Sequence, residues 1–465
     1  MEKGESVVKS NNPLATSKVT SLIVKFSIPS IIAMLVGSLY NIVDQYFIGR
    51  SVGQLGNGAT NIAFPLSMLC TAIALLSGIG GASNFNLSMG RGEKEKAGFF
   101  IGNAIVMLTT LGTLLMVFSQ CFLKDLLILF GSTEEILPYA LTYVRITSLG
   151  FPFLILTIGS GHLIRADGSP KMAMLCNMSG AVINTLLDYI FVMKMDLGME
   201  GAAWATVLGQ VLSMALAVRY LMNYKTVKLE RIHFIPRREY ITRIAAIGAA
   251  SAINQMAMMF VQIVLNNSLK HYGALSVYGP NSPIAVAGIV TKVFQVFFAV
   301  IIGLSQGSQP IISFNYGATN FARVKEAYLK SLFVGSLVAS LAFILFHIIP
   351  RQLIGLFGDG DEAYFEFGVK YFQIYMFMVF INFLQPISST FFTSIGKSIK
   401  GVFLSLTRQI IYLLPLILLL PLKFGIDGIL FSGPIADTLA AFTTFMLVRY
   451  EFGNMKKLEE QKNKN

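Results

Sequence analysis

Two acidic residues sit where apolar sequence would be expected to exclude them. Asp44 lies in the outer half of an apolar stretch, in the run Tyr40-Asn41-Ile-Val-Asp44-Gln45, and Asp188 lies in another, in Asn184-Thr-Leu-Leu-Asp188. Ionisable groups within a membrane span are costly, and their retention points to use. Helical spacing puts Tyr40, Asn41 and Asp44 on one face, and Asn184 and Asp188 on one face of theirs. Thr206 follows the small residues of Gly201-Ala-Ala-Trp-Ala, which allow close helix approach, so its hydroxyl can reach a neighbouring polar cluster. Two carboxylates held together away from water titrate as a unit and can share a proton near neutral pH. Alternatively, carboxylate, amide and hydroxyl oxygens bind Na⁺. Either occupant changes the local charge by one and can bias a helix that has two conformations. Pro29, in the same stretch as Asp44, supplies a hinge, because proline removes a helix hydrogen bond. The plainer alternative is that the acids lie near helix ends and touch interfacial water. It weighs more for Asp44, which precedes Arg50 by six residues, than for Asp188.

Other polar residues within apolar stretches leave more readings open. Asp437 is either a second acidic site or the partner of Arg408 or Lys292. Arg145 snorkels outward, and His162 reads as a satisfied packing residue rather than a proton relay. Asn254, Gln255, Met256, Met258, Met259 and Gln262 share one stretch, and methionine makes adaptable surfaces for varied ligands. They are the substrate-cleft candidates, although such stripes more often face lipid or a neighbouring helix. Four scattered histidines and three unpaired cysteines suggest neither a structural metal site nor a disulfide framework. No phosphate-binding G-x-x-x-x-G-K-[ST] loop and no nucleophile-base pair occurs, so the expectation is a protein that is not an enzyme and carries no cofactor.

The elements that must position these groups follow from composition. Of 465 residues, 54% are hydrophobic and only 13% charged, too few charges to cover a soluble surface. Apolar stretches reach the ~20 residues that span hydrocarbon. Twelve are read, at 19–48, 58–87, 98–121, 137–163, 171–193, 199–222, 242–269, 283–309, 325–348, 365–393, 401–421 and 427–449. The net charge of +12 could suggest nucleic acid, but the basic residues sit in short loops between spans. Alternate loops are rich in Lys and Arg, from Lys3, Lys9 and Lys18 to the tail after Arg449, whereas the opposite loops hold one basic residue each. By the positive-inside rule both termini lie in the cytoplasm.

The chain also repeats itself. Ser88-Met-Gly90 recurs as Asn315-Tyr-Gly317, Leu129-Phe-Gly131 as Leu356-Phe-Gly358, Tyr143-Val-Arg-Ile146 as Tyr371-Phe-Gln-Ile374, and Gly198-Met-Glu-Gly201 as Gly425-Ile-Asp-Gly428. The glycine-to-glycine offset is 227. Six spans per copy is even, so the repeats are parallel. The expected fold is an all-α membrane protein with twelve transmembrane helices in two six-helix lobes around a central cleft. The lobes are residues 1–222 and 242–465, the second with a short cytoplasmic tail, joined by a linker at 223–241. In the matching spans of the second copy, Leu265-Asn266 and Pro415-Leu416 stand in the regions of the two acids, so the two lobes differ in chemistry.

At these residues the sequence resembles the multidrug and toxic compound extrusion (MATE) family, in its MepA-like bacterial branch. The matching stretches are Lys25-Phe-Ser-Ile-Pro29-Ser-Ile-Ile with Leu39-Tyr-Asn-Ile-Val-Asp44; Ile164-Arg-Ala-Asp-Gly168-Ser-Pro-Lys171; Asn184 to Asp188; and Gly303-Leu-Ser-Gln-Gly307-Ser-Gln-Pro310 through Asn315-Tyr-Gly317. The resemblance covers essentially the whole chain. It implies a monomeric antiporter of the bacterial plasma membrane that exchanges H⁺ or Na⁺ for organic, usually cationic, compounds by rocking of two lobes. It also implies a cation site that falls on Asp44, Asn184, Asp188 and Thr206, with bending at Pro29. A branch that places its essential acids in the second lobe fits less well, since the seventh span carries Gln255 and no acid. The rival readings are a flippase for lipid-linked intermediates, which calls for a strongly basic cavity, and a non-transporting sensor or scaffold.

Overall fold

The computed structural model describes residues 13–464 apart from positions 53, 131, 133, 135, 280 and 356–361. No strand occurs among the described residues. The first lobe contains α1 (Val19–Ser51), α2 (Gln54–Gly90), α3 (Lys94–Cys121), α4 (Leu137–Ala166), α5 (Pro170–Lys194) and α6 (Gly198–Leu221). The second contains α7 (Arg238–Ala274), α8 (Asn281–Gly317), α9 (Phe321–Ile348), α10 (Glu362–Ile374 bent by 40° into Val379–Ser394), α11 (Ser398–Phe424) and α12 (Ile426–Lys464). Eleven of these helices are long and apolar enough to cross a membrane singly, and the bent pair of α10 makes the twelfth.

Two boundaries differ from the sequence reading. The linker gives way to α7 at Arg238, because the segment after Pro236 has no helix breaker and continues directly into an apolar helix. The residues that the sequence reading assigned to a short tail form the last turns of α12, which runs to Lys464. The Leu129-to-Gly131 and Leu356-to-Gly358 match extends into positions outside the described residues.

The repeat is visible in the backbone. Left-handed φ angles occur at Gly92 and Thr319, and at Gly198 and Gly425, each pair 227 residues apart. Thr319 holds the conformation without glycine's freedom, so the turn is imposed by its flanking helices. Each lobe also ties the loop before its fifth helix to the segment after its sixth, with the charges exchanged. In the first lobe Asp167 accepts hydrogen bonds from the backbone N–H of Lys225 and of Thr226, both at 2.8 Å, and from the Tyr220 hydroxyl at 2.8 Å. In the second the acid lies on the helix: Glu451 of α12, fully buried, takes Lys397 from the loop between α10 and α11 and Lys400 from the first turn of α11.

The linker is strapped to the first lobe. The Asn103 amide donates to His233 O at 3.1 Å and Ile235 O at 3.3 Å, and its carbonyl accepts from the Arg237 N–H at 2.9 Å. A strap this close needs small residues beneath it: a Cβ at Gly102 would lie 2.1 Å from His233 O.

The lobes meet at the end that carries both termini, and there each lobe's first helix begins inside the other lobe. Leu14, Leu22 and Phe26 share a buried core with Ile301, Leu304, Tyr328 and Phe391 of the second lobe. Tyr240 and Ile244, at the start of α7, share one with Phe99 and Phe100 of the first. Polar contacts reinforce this closure. Arg323 donates to Leu14 O at 3.1 Å and Ser17 O at 2.6 Å, and Gln309 Nε2 donates to Ser83 Oγ at 2.8 Å. The backbones approach so closely that a Cβ at Gly307 would lie 2.5 Å from Ser27 Cα. Toward the opposite end the helices part, and a Cβ at Gly37 of α1 or Gly288 of α8 would meet nothing within 4 Å.

Candidate functional site

The acids singled out in the sequence converge inside the first lobe. Asp44 comes from α1, Asn184 and Asp188 from α5, and Thr206 from α6. Asp188 is fully buried, Asn184 is 2% exposed and Asp44 7% exposed. Asp188 ends the α-helical part of α5, and the chain continues as a π-helical turn over Tyr189–Lys194. Such local unwinding inside a helix recurs at functional sites. The carboxyl groups of Asp44 and Asp188 lie within hydrogen-bonding reach of each other. Asn184 Nδ2 donates to Thr206 Oγ1 at 3.2 Å, which leaves the amide oxygen buried without a donor.

The oxygens left over define what the cluster can do. Asp44 Oδ1, both Asp188 carboxylate oxygens and Asn184 Oδ1 are buried and accept no hydrogen bond from a protein donor. Buried polar atoms are nearly always paired, so four unsatisfied acceptors in one place mark a site for something that donates or is positive. The donor set is all oxygen, with no thiolate or imidazole, which suits a proton or a hard cation rather than a transition metal. Among the described residues no group of three His, Cys, Asp or Glu side chains is placed to hold a metal ion.

Two phenols complete the cluster. Tyr40, singled out in the sequence, and Tyr143 of α4 both lie within reach of the Thr206 hydroxyl and beside both carboxylates. Tyr143 was not recognised as part of this site from the sequence, where it served only as a repeat marker. Tyrosine is at home at membrane interfaces and gives no signal comparable to a buried charge. The side chain of Asn41 lies outside the described residues. A small cavity of about 40 Å³ adjoins the cluster, lined by Ser67, Tyr143, Thr147, Thr206 and Gln210. Gln210 Oε1 is itself unpartnered, so the cavity has the polarity and room that a water molecule needs. Pro29 is buried near the start of α1, which runs through it as one helix.

The second lobe carries no such cluster around its acid. Asp437 accepts from Asn382 Nδ2 at 3.2 Å and is paired with Arg408, their side chains 2% and 16% exposed. Of the readings open for Asp437, the structure shows the pair with Arg408, and Lys292 is exposed elsewhere on α8. Asn382 enters from the bend of α10 and Arg408 from a π-helical stretch of α11, Thr407–Leu413. His162 differs from expectation. It lies within reach of Gln309 across the lobe junction, yet its Nδ1 has no partner. Arg145 is exposed, in keeping with an outward reach.

The cleft candidates separate into faces. Gln255, Met259 and Gln262 share one face of α7, where Gln255 reaches Met68 of α2 and Gln262 donates to Asn266 at 3.1 Å. Asn254 lies on an adjacent face against Met258. Met256 turns away, 47% exposed beside Phe260 and Ile263 on an apolar strip facing outward.

The MatE family model matches residues 29–190 and 250–418, most of both lobes. The chain belongs to the MatE family. Its curated relatives include the multidrug export protein MepA of Staphylococcus aureus strain MRSA252, 25% identical over 433 residues, covering 93% of this chain and 94% of that one. MepA of Staphylococcus saprophyticus is 24% identical over 91% of this chain and 92% of its own. Two solved MATE-type structures share the fold with a TM-score of 0.89 at 22% identity, each covering 96% of this chain and 98% of the other. One is a MOP superfamily transporter from Pyrococcus furiosus, described with a binding pocket of reversed polarity. The other is described as the outward-facing conformation of a multidrug resistance MATE transporter.

Proposed function

We propose that this MATE transporter is a cation-coupled antiporter that exports organic, cationic amphipathic compounds from a bacterial cell. The carrying observation is the set of four unsatisfied oxygens on Asp44, Asn184 and Asp188 beside Thr206. The relatives in Staphylococcus are multidrug export proteins, which supports export of small organic compounds. The alternation of basic loops supports a multi-pass plasma-membrane protein with both termini in the cytoplasm. On that orientation the closed end faces the cytoplasm and the lobes part outward. An ion arriving from outside, H⁺ or Na⁺, is held by the acids and neutralises one charge. The α1 segment beyond Pro29 then changes its packing, the bound drug leaves, and the lobes close outward and open inward. A bound ion shifts this equilibrium only through its difference in affinity between the two states.

Reconstituted efflux of a fluorescent organic cation tests the reading, with a Na⁺ gradient alone and a pH gradient alone. One gradient is expected to drive efflux. Asp188→Asn is expected to remove gradient-driven efflux while the protein still runs as a folded species in detergent. Normal coupled efflux by that variant would sink the assignment of the site.

A further inference from the structure

A second cavity, of about 270 Å³, lies where the lobes meet at the terminus-bearing end. Both lobes line it: Asn84, Ser88, Arg91, Glu93 and Lys96 come from the first, and Arg243, Gly396 and Ser398 from the second. Its charged walls are three cations against one anion. Glu93 is occupied by Lys96 at 3.2 Å, and Arg243 pairs with Glu239 at 3.1 Å on its outer side. Both pairs are solvent-exposed and worth little, so an incoming anion can replace them cheaply. Arg91 has no carboxylate partner in an ion pair among the described residues. α11 begins at the rim with Ser398, and its first two turns expose Ile399 (84%) and Phe403 (44%), an apolar strip beside the cationic mouth.

We infer that this cavity binds a phosphate ester of net negative charge and that its occupant holds the lobes together at the terminus-bearing end. Guanidinium groups from opposite lobes match phosphate oxygens in paired hydrogen bonds. The source is a phospholipid headgroup with its chains along the Ile399 strip, or a soluble phosphate ester from the aqueous side. Because the walls belong to both lobes, separating the lobes dismantles the site. A ligand that binds only the closed arrangement raises the closed-to-open ratio by a factor of one plus the ratio of ligand concentration to Kd, about tenfold at nine times Kd. The effect on the lobes rests on the alternating-access reading, whereas the binding does not.

The test uses the full chain in nanodiscs of phosphatidylcholine, of phosphatidylcholine with phosphatidylglycerol, and of phosphatidylcholine with glycerol 3-phosphate in the buffer. Native mass spectrometry reads retention of the ester. Spin labels at Met222→Cys and Lys457→Cys, in a Cys121→Ser background, read the distance between lobes. Retention is expected to fall about tenfold in Arg91→Gln and in Arg243→Gln, and to persist in Lys94→Gln, whose charge lies outside the cavity. The closed fraction is expected to rise with the ester and to lose that response in the same two variants. A response to phosphatidylglycerol alone identifies a lipid headgroup, and one to glycerol 3-phosphate in phosphatidylcholine identifies a soluble ester; both support the site. Equal retention in Arg91→Gln, Arg243→Gln and the unaltered chain overturns it. Retention that depends on both arginines without any change in lobe distance keeps the site and overturns the coupling.

Discussion

Asp188 and Thr206 divide the work of the first-lobe cluster between charge and orientation. Asp188 offers two oxygens with no protein donor, whereas Thr206 fixes the Asn184 amide through one hydrogen bond. Losing the charge and losing the orientation should therefore look different. Thr206→Val is expected to raise the ion concentration for half-maximal efflux about tenfold, with near-normal efflux at saturating gradient. A titration of efflux against the driving ion reads this. An unchanged half-maximal concentration would mean that the amide is held by other contacts. Asp44 and Asp188 were legible as candidates in the sequence, because a carboxylate in apolar sequence violates an energetic rule that needs no coordinates, and Asn184 and Thr206 followed from helical spacing and from the small residues before Thr206. Tyr143 was not, since a tyrosine in a membrane helix violates nothing. Nor was the neutralisation of Asp437. Arg408 lies 29 residues before it, and the choice between Arg408 and Lys292 depends on which side of α8 faces inward.

The pair of α11 and α12 shows how a helix can carry an acid without exposing its charge. The π-helical stretch Thr407–Leu413 brings Arg408 to Asp437, and Asn382 from the α10 bend takes the other oxygen. Removing one partner strands the other. Asp437→Asn is expected to destabilise the protein by about 3–5 kcal/mol, while Asp437→Leu combined with Arg408→Met recovers most of that loss. Thermal unfolding of the detergent-solubilised protein reads both. If the double variant melts as low as the single one, the pair contributes more than mutual neutralisation. Sequence pattern located α11 to within three residues at each end and the start of α12 to within one, because hydropathy reports the apolar length, whereas the polar last turns of α12 run fifteen residues beyond it. It did not locate the π-helical stretches, which appear in both fifth-position helices. A single extra residue in a helical turn leaves the run of apolar side chains intact.

At the scale of the whole molecule, the two lobes are joined by backbone contact at one end and separated at the other. A Cβ at Gly307 would lie 2.5 Å from Ser27 Cα and one at Gly303 2.5 Å from Ile31 Cα, so a single substitution on α8 can disturb its contact with α1 without touching the acids. Gly307→Val is expected to open the terminus-bearing end and to lower efflux at least about tenfold, since the closed state must then accommodate a side chain against backbone. The Met222 and Lys457 labels report the opening, and an unchanged distance would show that the lobes are held elsewhere. The duplication was readable from glycines at constant offset, and the backbone repeats it at Gly92 and Thr319. The way the lobes interlock was not readable, because small residues serve packing within a lobe as well as between lobes. That interlock bears on how the chain is made. Leu14 finds its partner Arg323 only 309 residues later. At ribosomal rates of ~5–20 residues per second, the start of the first helix waits ~15–60 s for the surface that will cover it. During that interval Leu22, Phe26 and their neighbours face lipid or solvent instead of the second lobe, so the closure at the terminus-bearing end forms only after α8 and α9 have been made.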